Sequence, residues 1–578
     1  MAAPVRVVFL GGLGEIGRNC AAIEVDGRIM LIDCGLMFPD DDMAGVDLVL
    51  PDFTYLRENA HRIEGVVATH GHEDHIGALS FLLEEVPLQI IGSPLTLGLA
   101  RNRIDERGVL DQATFIEVSD GDRIKVGPFD LEFFPVTHSV PHGFATAFHT
   151  PQGVILHSGD FKLDMTPVDR RLTDLAGIGH LAKDEGIRLF LCDSTNAEEQ
   201  GFSASETSIG QSIHDLFQAR AGRRIIVACF ASHIHRVQQI ADAAIAAGRT
   251  VATLGRSMNS NVALARKMGL LTIPEAKLCN IEDVGDIPSE KLCVISTGSQ
   301  GEPMSALARM ATGDNRWLEI ADGDCVILSS HPIPGNESSV SRVIDGLLRK
   351  GAEVVHSANA NVHATGHAKA EELKVLHSIV QPEWFVPVHG EYRHMTEHAR
   401  LATQMGVRAD RVVLCSDGDT IVLSDKGIKR GEEVPSEYIY IDGSVNALDA
   451  NVLLERRILG EEGFVSVVVP ISIDGPNAEL LGEPQVFSRG WVDGEDGEQL
   501  RKEARLAVRE TVERALADGV RTRQEIERLA RRAVGRFINK ETRLRPMVVP
   551  IVLGAHEGDE GSSDKAGGKK SRSKNRRN

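Results

Sequence analysis

Thr69-His70-Gly71-His72-Glu73-Asp74-His75 packs three histidines and an aspartate into six residues. A fold that buries such groups must give them partners. The apolar run Ile63 to Ala68 before the segment reads as a short buried strand, and Ile76 to Leu83 after it reads as the opening of a helix. The cluster therefore belongs to a strand-to-helix turn. In its extended part His70 and His72 point the same way and can grip one ion, while Asp74 and His75 at the helix start can face a second. Two-metal ligation accounts for this spacing better than any structural role.

Further ligand types stand at the ends of apolar strands far downstream. His138 follows Phe129 to Pro135, Asp160 follows Gly153 to His157, and His389 follows Trp384 to Val386. Delivery of ligands from several strand ends to one edge is how a layered α/β fold builds a metal site. His142, four residues beyond His138, is chemically as good a candidate.

A rival reading comes from Gly12-Leu13-Gly14-Glu15-Ile16-Gly17, a GxGxxG string after the strand Val5 to Leu10, with Asp33 near where a ribose-binding acid would stand. A dinucleotide site needs a helix directly after those glycines. Here Cys20 to Val25, Asp26-Gly27 and Arg28 to Ile32 read instead as a β-hairpin.

At 578 residues the chain has material for about three domains. Its eight cysteines form no CxxC pair, and a strand opens the chain where a signal peptide would stand, so a reducing cytoplasm is expected. No apolar run is long enough to span a membrane. The formal charge of −20 does not exclude nucleic acid, because binding depends on local charge and two cations would sit in the cleft. The charge is also uneven: Lys565 to Arg577 hold seven Lys or Arg residues and no acid. That basic tail, 556–578, is expected to be disordered, serving as a solubilising end or an auxiliary RNA or protein contact.

Nearly two hundred residues separate Asp193 from His389, and they carry their own alternation of helix and strand: Ser212 to Ala221, Arg224 to Ala228, Val237 to Ala247, Thr250 to Leu254. An inserted domain is expected. A last module follows, with a strand Phe464 to Val469, a long helix striped by Leu500, Ala504, Val508, Val512 and Leu516, a second helix capped at Thr522, and a strand Met547 to Leu553. A module this small is a candidate for dimerisation.

The ligand set resembles the metallo-β-lactamase superfamily, whose motif is HxHxDH followed by a distant His, Asp and His. The insert narrows the resemblance to the β-CASP nucleases and, within them, to the ribonuclease J family. The supporting strings are Cys192 to Asn196, Phe230 to Arg236, Thr297 to Pro303, Pro334 to Glu337, His363 to His367 and Pro387 to Tyr392. The match runs from the N-terminus to about residue 555. It implies an α/β fold: a metallo-β-lactamase αββα sandwich with an inserted α/β β-CASP domain and a small α+β C-terminal domain. The expected boundaries are 1–208 and 368–450 for the two parts of the sandwich, 209–367 for the insert, 451–460 for a linker and 461–555 for the C-terminal domain.

By the same resemblance His70, His72 and His138 hold one metal and Asp74, His75 and His389 the other, with Asp160 bridging; His142 is left as a neighbour on the cleft wall. Asp33 becomes the acid that orients a metal-binding histidine. His367 and Asp193 are implied as catalytic, with Asp74 counted beside them, and Ser232, His235, Arg236, His363, Ala364, Thr365, Gly366 and His367 as contacts to phosphate or RNA. Two Zn²⁺ per chain are expected, Mn²⁺ being an alternative at mixed histidine and carboxylate ligands. The implied activity is hydrolysis of single-stranded RNA, 5′-to-3′ with a preference for a 5′-monophosphate and also internally, in RNA maturation and decay. A homodimer or dimer of dimers through the C-terminal domain and partners in an RNA-degradation complex are expected with it. The competing classes are a β-CASP DNA nuclease, a small-molecule metallo-hydrolase that would not need the insert, and a non-enzymatic RNA-binding scaffold that would not need all seven ligands.

Overall fold

A computed structural model describes residues 2–40, 43–302, 304–333, 336–443, 445–448, 450–472 and 478–554. The basic tail lies outside them. The chain divides into two compact units with the break at Ala447/Leu448.

The first unit is built on two facing sheets. In one, eight strands run in the order Gly427–Arg430, Thr420–Ser424, Val5–Gly11, Cys20–Val25, Arg28–Ile32, Ile63–Val67, Leu88–Gly92 and Ala113–Glu117. In the other, six run in the order Trp384–Val388, Ile187–Asp193, Gly153–His157, Gly143–Thr150, Phe129–Val136 and Arg123–Val126. Alternation along the strands decides what each face meets. Val5, Val7 and Phe9 pack with Leu131, Phe133 and Ile155 in a core between the sheets, whereas Val8 and Leu10 turn outward to a core that includes Ile76, Leu79 and Leu95. Helices Leu175–Asp184, Ala370–Val380 and Tyr392–Gln404 supply buried residues to the outer core of the second sheet. Helix, sheet, sheet and helix are thus stacked in the expected order.

The hairpin expected at Asp26-Gly27 is present, Cys20–Val25 pairing antiparallel with Arg28–Ile32 around left-handed φ values of 49° and 77°. Gly12, Gly14 and Gly17 likewise have φ of 89°, 89° and 124°. The GxGxxG string therefore lies in the connection between two longer strands, where Leu13–Gly14 pairs in parallel with Gly390–Glu391, and its glycines adopt backbone conformations that only glycine adopts without strain.

The insert between the last two strands of the six-stranded sheet is an all-parallel sheet ordered Leu278–Cys279, Thr250–Leu254, Leu292–Ser296, Ile225–Ala228, Cys325–Leu328 and Glu353–Val355. Its central strands are buried on both faces, against separate cores. Helices Glu206–Ala219 and Ile234–Ala246 occur where helices were expected, the first beginning six residues earlier, at the Ser205 cap.

In the second unit, strand Phe464–Ser472 pairs antiparallel with Gln485–Arg489 and parallel with Met547–Leu553. Helices Gly494–Ala517 and Arg523–Thr542 make the crossover, burying Ala504, Val508, Val512 and Leu516 with Ile526, Ala530 and Val534 on one face of the sheet. The segment 451–460, expected as a linker, is instead helix Ala450–Glu461. Its leucines, arginines and glutamates are strong helix formers, and no glycine or proline breaks the run before Gly460. Among the described residues no helix is long and apolar enough to cross a membrane.

Candidate metal centre

Strand ends and loops from both sheets bring the expected side chains to one point. His70 and His72 follow strand Ile63–Val67, Asp74 and His75 lie in the one-turn helix Glu73–Ile76, and His138, Asp160 and His389 follow their predicted strands. Two donor groups result: His70, His72, His138 and Asp160, and Asp74, His75, Asp160 and His389. A third, overlapping group joins Asp193, His367 and His389. His142 stands apart with a φ of 64°, lining a crevice with Asp169, Arg171 and His235. Of the two chemically equal histidines, only His138 falls in a donor group among the described residues.

The imidazoles are held from behind. Asp33, itself at a left-handed φ of 59°, accepts from the Thr69 amide at 2.7 Å and the Thr69 hydroxyl at 2.8 Å, and from His75 Nδ1 at 2.7 Å. His138 donates from Nδ1 to the Gly366 carbonyl at 2.7 Å. His389, at φ 54°, meets the Thr195 hydroxyl through Nδ1 at 2.6 Å, and Thr195 donates to Asp193 Oδ1 at 2.7 Å. Each of these rings therefore turns its Nε2 inward. Left-handed backbone at Asp33 and His389 costs energy that the surrounding bonds must offset, a pattern found at functional sites.

The inward atoms fit a cation. Asp160 Oδ2 is buried without a hydrogen-bond partner, yet five ring nitrogens surround it: His75 Nε2 at 3.2 Å, His389 Nε2 at 3.5 Å, His70 Nε2 at 3.6 Å, and His138 Nε2 and His367 Nδ1 at 3.9 Å. His72 Nδ1 lies 2.9 Å from His70 Nε2 and 3.1 Å from His138 Nε2. Ligands of one tetrahedral ion with bonds of about 2.0–2.1 Å stand only slightly farther apart than this. The donor set is that of a divalent-metal site.

Electrostatics divide the two groups. Burial pushes His70 and His138 well below the ordinary imidazole range and His72 down to about 4. Burial acts on His75 and His389 too, but the neighbouring carboxylates, Asp160 foremost, outweigh it, holding His75 well above its ordinary value and raising His389 to about 9. Burial would raise Asp160, and the facing rings of His389, His75 and His70 hold it well below the carboxylate range instead.

The insert closes the site from one side. His367 Nδ1 meets Asp193 Oδ2 at 2.8 Å, and its ring lies 5.0 Å from that of His138 and 5.3 Å from that of His389. Asp193 raises the His367 imidazole against the effect of burial. Ahead of His367, Thr365 Oγ1 accepts from Asn196 Nδ2 at 2.7 Å and from the His367 amide at 3.2 Å. Among the described residues, the amides of Ala364, Thr365 and Gly366 donate to no protein acceptor, and neither does the Ser232 amide. Close by, the Phe230 ring faces His72 at 6.4 Å.

Arg236, expected to contact RNA, does not reach the cleft. It is fully buried, paired with Glu206 and donating to Ser329 Oγ at 2.5 Å and the Val362 carbonyl at 2.8 Å. Burial of the guanidinium among these acceptors makes it a brace for the chain entering His363. His235 lies in the neighbouring crevice, 3.5 Å from Asp169.

Sequence reasoning missed Asn19, Thr69 and Thr195. Asn19 Nδ2 stands 3.1 Å from the Asp74 carbonyl, 3.2 Å from His75 Nε2 and 3.5 Å from Asp74 Oδ2. Its signal in the sequence is the glycine string, whose loop delivers Asn19 to the metal ligand candidates.

Comparison with known proteins gives matches in the same order along the chain. Residues 13–186 match the metallo-beta-lactamase superfamily, 222–347 the ribonuclease J beta-CASP domain, 352–412 the Zn-dependent metallo-hydrolase RNA specificity domain, and 451–555 the ribonuclease J C-terminal domain. The chain is 41% identical over 550 residues to Ribonuclease J of Mycolicibacterium smegmatis, covering 95% of this chain and 97% of that protein. It is 40% identical over 560 residues to Ribonuclease J of Thermus thermophilus, covering 95% of each, and 36% identical over 552 residues to Ribonuclease J2 of Bacillus subtilis, covering 95% and 98%. A crystal structure of an Enterococcus faecalis protein of unknown function shares the fold at TM-score 0.52 and 18% identity, over 73% of this chain and 100% of that one.

Proposed function

The chain belongs to the ribonuclease J family, and we propose that it hydrolyses single-stranded RNA both stepwise from a 5′-monophosphate end and internally. The observation that carries the reading is Asp160 Oδ2, a buried carboxylate oxygen with no hydrogen bond, set among the inward nitrogens of both donor groups. His70, His72 and His138 would hold one ion, Asp74, His75 and His389 the other, with Asp160 shared. Zn²⁺ suits five histidines and two carboxylates. Two such ions, when bound, would lower the pKa of water at the centre and neutralise charge that develops on a phosphodiester.

The chain's own groups do the rest. Asp33, Thr195 and the Gly366 carbonyl fix the tautomers of His75, His389 and His138, so each ring presents its other nitrogen to the centre. His367, held through Nδ1 by Asp193, keeps Nε2–H for the departing 3′ oxygen and gives up that proton as the P–O bond breaks. The free amides of Ala364, Thr365 and Gly366, with Ser232, suit a terminal phosphate dianion. A phosphate held there sets the register of the first nucleotides.

The C-terminal unit would pair with a copy of itself. Phe487 and Val549 are both register partners of Ser466, and Ile551 and Leu553 continue the same face along the strand. This is the face opposite the two helices, and Phe487, Ile551 and Leu553 are 57%, 37% and 51% exposed. An uncovered apolar sheet face of this kind suits an isologous dimer.

The deciding experiment is digestion of one RNA bearing a 5′-monophosphate or a 5′-triphosphate, with a DNA control. Stepwise decay faster on the monophosphate, internal cleavage on both and little action on DNA are expected. Equal stepwise rates would refute the end-recognition reading, and preferential cleavage of DNA would refute the substrate.

A further inference from the structure

The two long helices of the C-terminal unit differ in how far their arginines are neutralised, the second pairing, among the described residues, only Arg523 with Glu527, at 2.9 Å, in its first turn. On Gly494–Ala517, Arg501 and Arg505 both pair with Glu498, and Arg509 pairs with Glu513 and Glu483. Those three arginines are neutralised at a solvated surface, while Arg514 further along the helix has no acidic partner among the described residues. On Arg523–Thr542, Arg528, Arg532, Arg536 and Lys540 recur every four residues, with Arg531 beside them and Arg543 at the C-terminal cap. All six are exposed. Among the described residues Arg528, Arg531, Arg532, Arg536 and Arg543 have no acidic partner, and only Lys540 has one, Glu541 at 2.7 Å.

Such a stripe is unfavourable for the helix that carries it. Like charges four residues apart destabilise a helix, and alternation with glutamate would remove the penalty at no cost to packing, as the neighbouring helix demonstrates. The chain also carries a formal charge of −20, so an unneutralised run of cations is against its general composition. The apolar residues Ile526, Ala530, Ala533, Val534 and Ile538 face the sheet, so the stripe looks away from the core and away from the uncovered apolar sheet face.

We propose that the exposed face of helix Arg523–Thr542, formed by Arg528, Arg531, Arg532, Arg536 and Lys540, is a binding surface for the phosphate backbone of RNA. The step between successive cations, about 6 Å at a rise of 1.5 Å per residue, is on the scale of the spacing of phosphates along a strand. Five cationic side chains on one helix face supply charge along a strand, which suits retention of a long substrate through its phosphates. The proposal rests on the reading that the substrate is RNA. It adds a site in the C-terminal unit, separate from the metal centre.

The test uses the full chain with Arg528→Gln, Arg532→Gln and Arg536→Gln combined, glutamine keeping helix propensity while removing charge. Binding of an unstructured RNA several tens of nucleotides long is followed by fluorescence anisotropy across a salt series, with chelator present to stop cleavage. Each lost phosphate contact on a single strand lowers the slope of log K against log salt by about 0.7, so the triple variant should show a slope smaller by about 2 and an affinity on the order of 10²-fold weaker at 0.1 M salt. The loss should shrink towards 1 M. Turnover of a short oligonucleotide that fills only the metal centre should equal wild type, and the Lys triple variant should keep the wild-type slope. An unchanged slope and affinity would overturn the proposal, as would an altered mass by light scattering with unchanged RNA binding, which would make the stripe a protein contact. A wild-type chain that bound no RNA would instead overturn the ribonuclease reading itself.

Discussion

Gly366 is the position at which the insert and the metal centre can be uncoupled by a single methyl group. A Cβ built there falls 2.5 Å from His138 Cε1 and 2.8 Å from His138 Nδ1, with Ser139 Oγ at 3.1 Å. Carbon atoms pack at about 3.5–4.0 Å, so the His138 ring must retreat by roughly 1 Å or the turn must lift by as much. Either movement strains the 2.7 Å bond from His138 Nδ1 to the Gly366 carbonyl. Displacements of this size cost on the order of 10²-fold in rate at a positioned centre, and loss of a group that orients a ligand costs about 10–100-fold in metal affinity.

Gly366→Ala is therefore expected to lower stepwise and internal cleavage together. Metal content, measured by elemental analysis after dialysis against buffered metal, should fall to about one ion per chain, because His75, Asp74 and His389 are untouched. Excess metal should restore part of the activity. From sequence alone the same substitution reads as crowding only the pocket for the 5′ end, which would slow stepwise decay and spare internal cleavage. A variant with two tightly held ions and a selective loss of stepwise decay would refute the steric reasoning and reinstate that view.

Other substitutions probe the remaining assignments. Asp33→Asn should weaken metal binding by about 10–100-fold without unfolding the chain, since an amide replaces one of the two oxygens that accept from Thr69 and His75 Nδ1 with a donor and removes the charge; unchanged metal retention would remove Asp33 from its role. His367→Ala should reduce turnover by about 10²–10⁴-fold with both ions retained, whereas His72→Ala should lose metal as well; a wild-type rate for His367→Ala would refute the proton-donor reading. Phe487→Glu with Ile551→Lys should shift a dimer to monomer in light scattering, and a wild-type chain already monomeric would refute the dimer face. The buried pair His377 and His398, 3.1 Å apart against Phe190 and Phe385, gives a pH prediction. Burial lowers His377 to about 4 and His398 well below its ordinary value, so the folded state binds fewer protons than the unfolded one. The stability they contribute is complete above about pH 6.5 and is lost as pH falls from there towards 4. His377→Gln should lose less stability than wild type over that window, and parallel unfolding curves would contradict it.

What could be read from the sequence was whatever local order dictates. The ligand cluster at 70–75, the hairpin at Asp26-Gly27, the stripe from Leu500 to Leu516 and the strand Met547–Leu553 each carry their signal within a few residues, as alternation, periodicity or turn chemistry. The choice of His138 over His142 did not, because both follow the same strand and only the tertiary packing sets one ring against His72 and turns the other to Arg171. Arg236 was misread for a related reason: a charged residue in a motif looks like a contact to substrate, and its burial against Glu206, Ser329 and Val362 depends on segments up to 126 residues away. Residues 451–460 read as a linker only from their position between modules, whereas their own composition favours the helix Ala450–Glu461 that they form.

The link from Gly366 to His138 also bears on how the insert works. His138 Nδ1 takes its acceptor from outside the strand ends of the sandwich. Here the acceptor comes from the carbonyl at the end of the His363–Gly366 turn, and the next residue is His367 itself. That turn is anchored twice more, by Asn196 on Thr365 and by buried Arg236 on the Val362 carbonyl. The backbone whose amides are proposed to hold a terminal phosphate thus also orients one candidate metal ligand and leads directly into the candidate proton donor. On that proposal substrate recognition and chemistry would share one anchored segment, so changes that alter end preference through this turn should also carry a cost in metal affinity or rate.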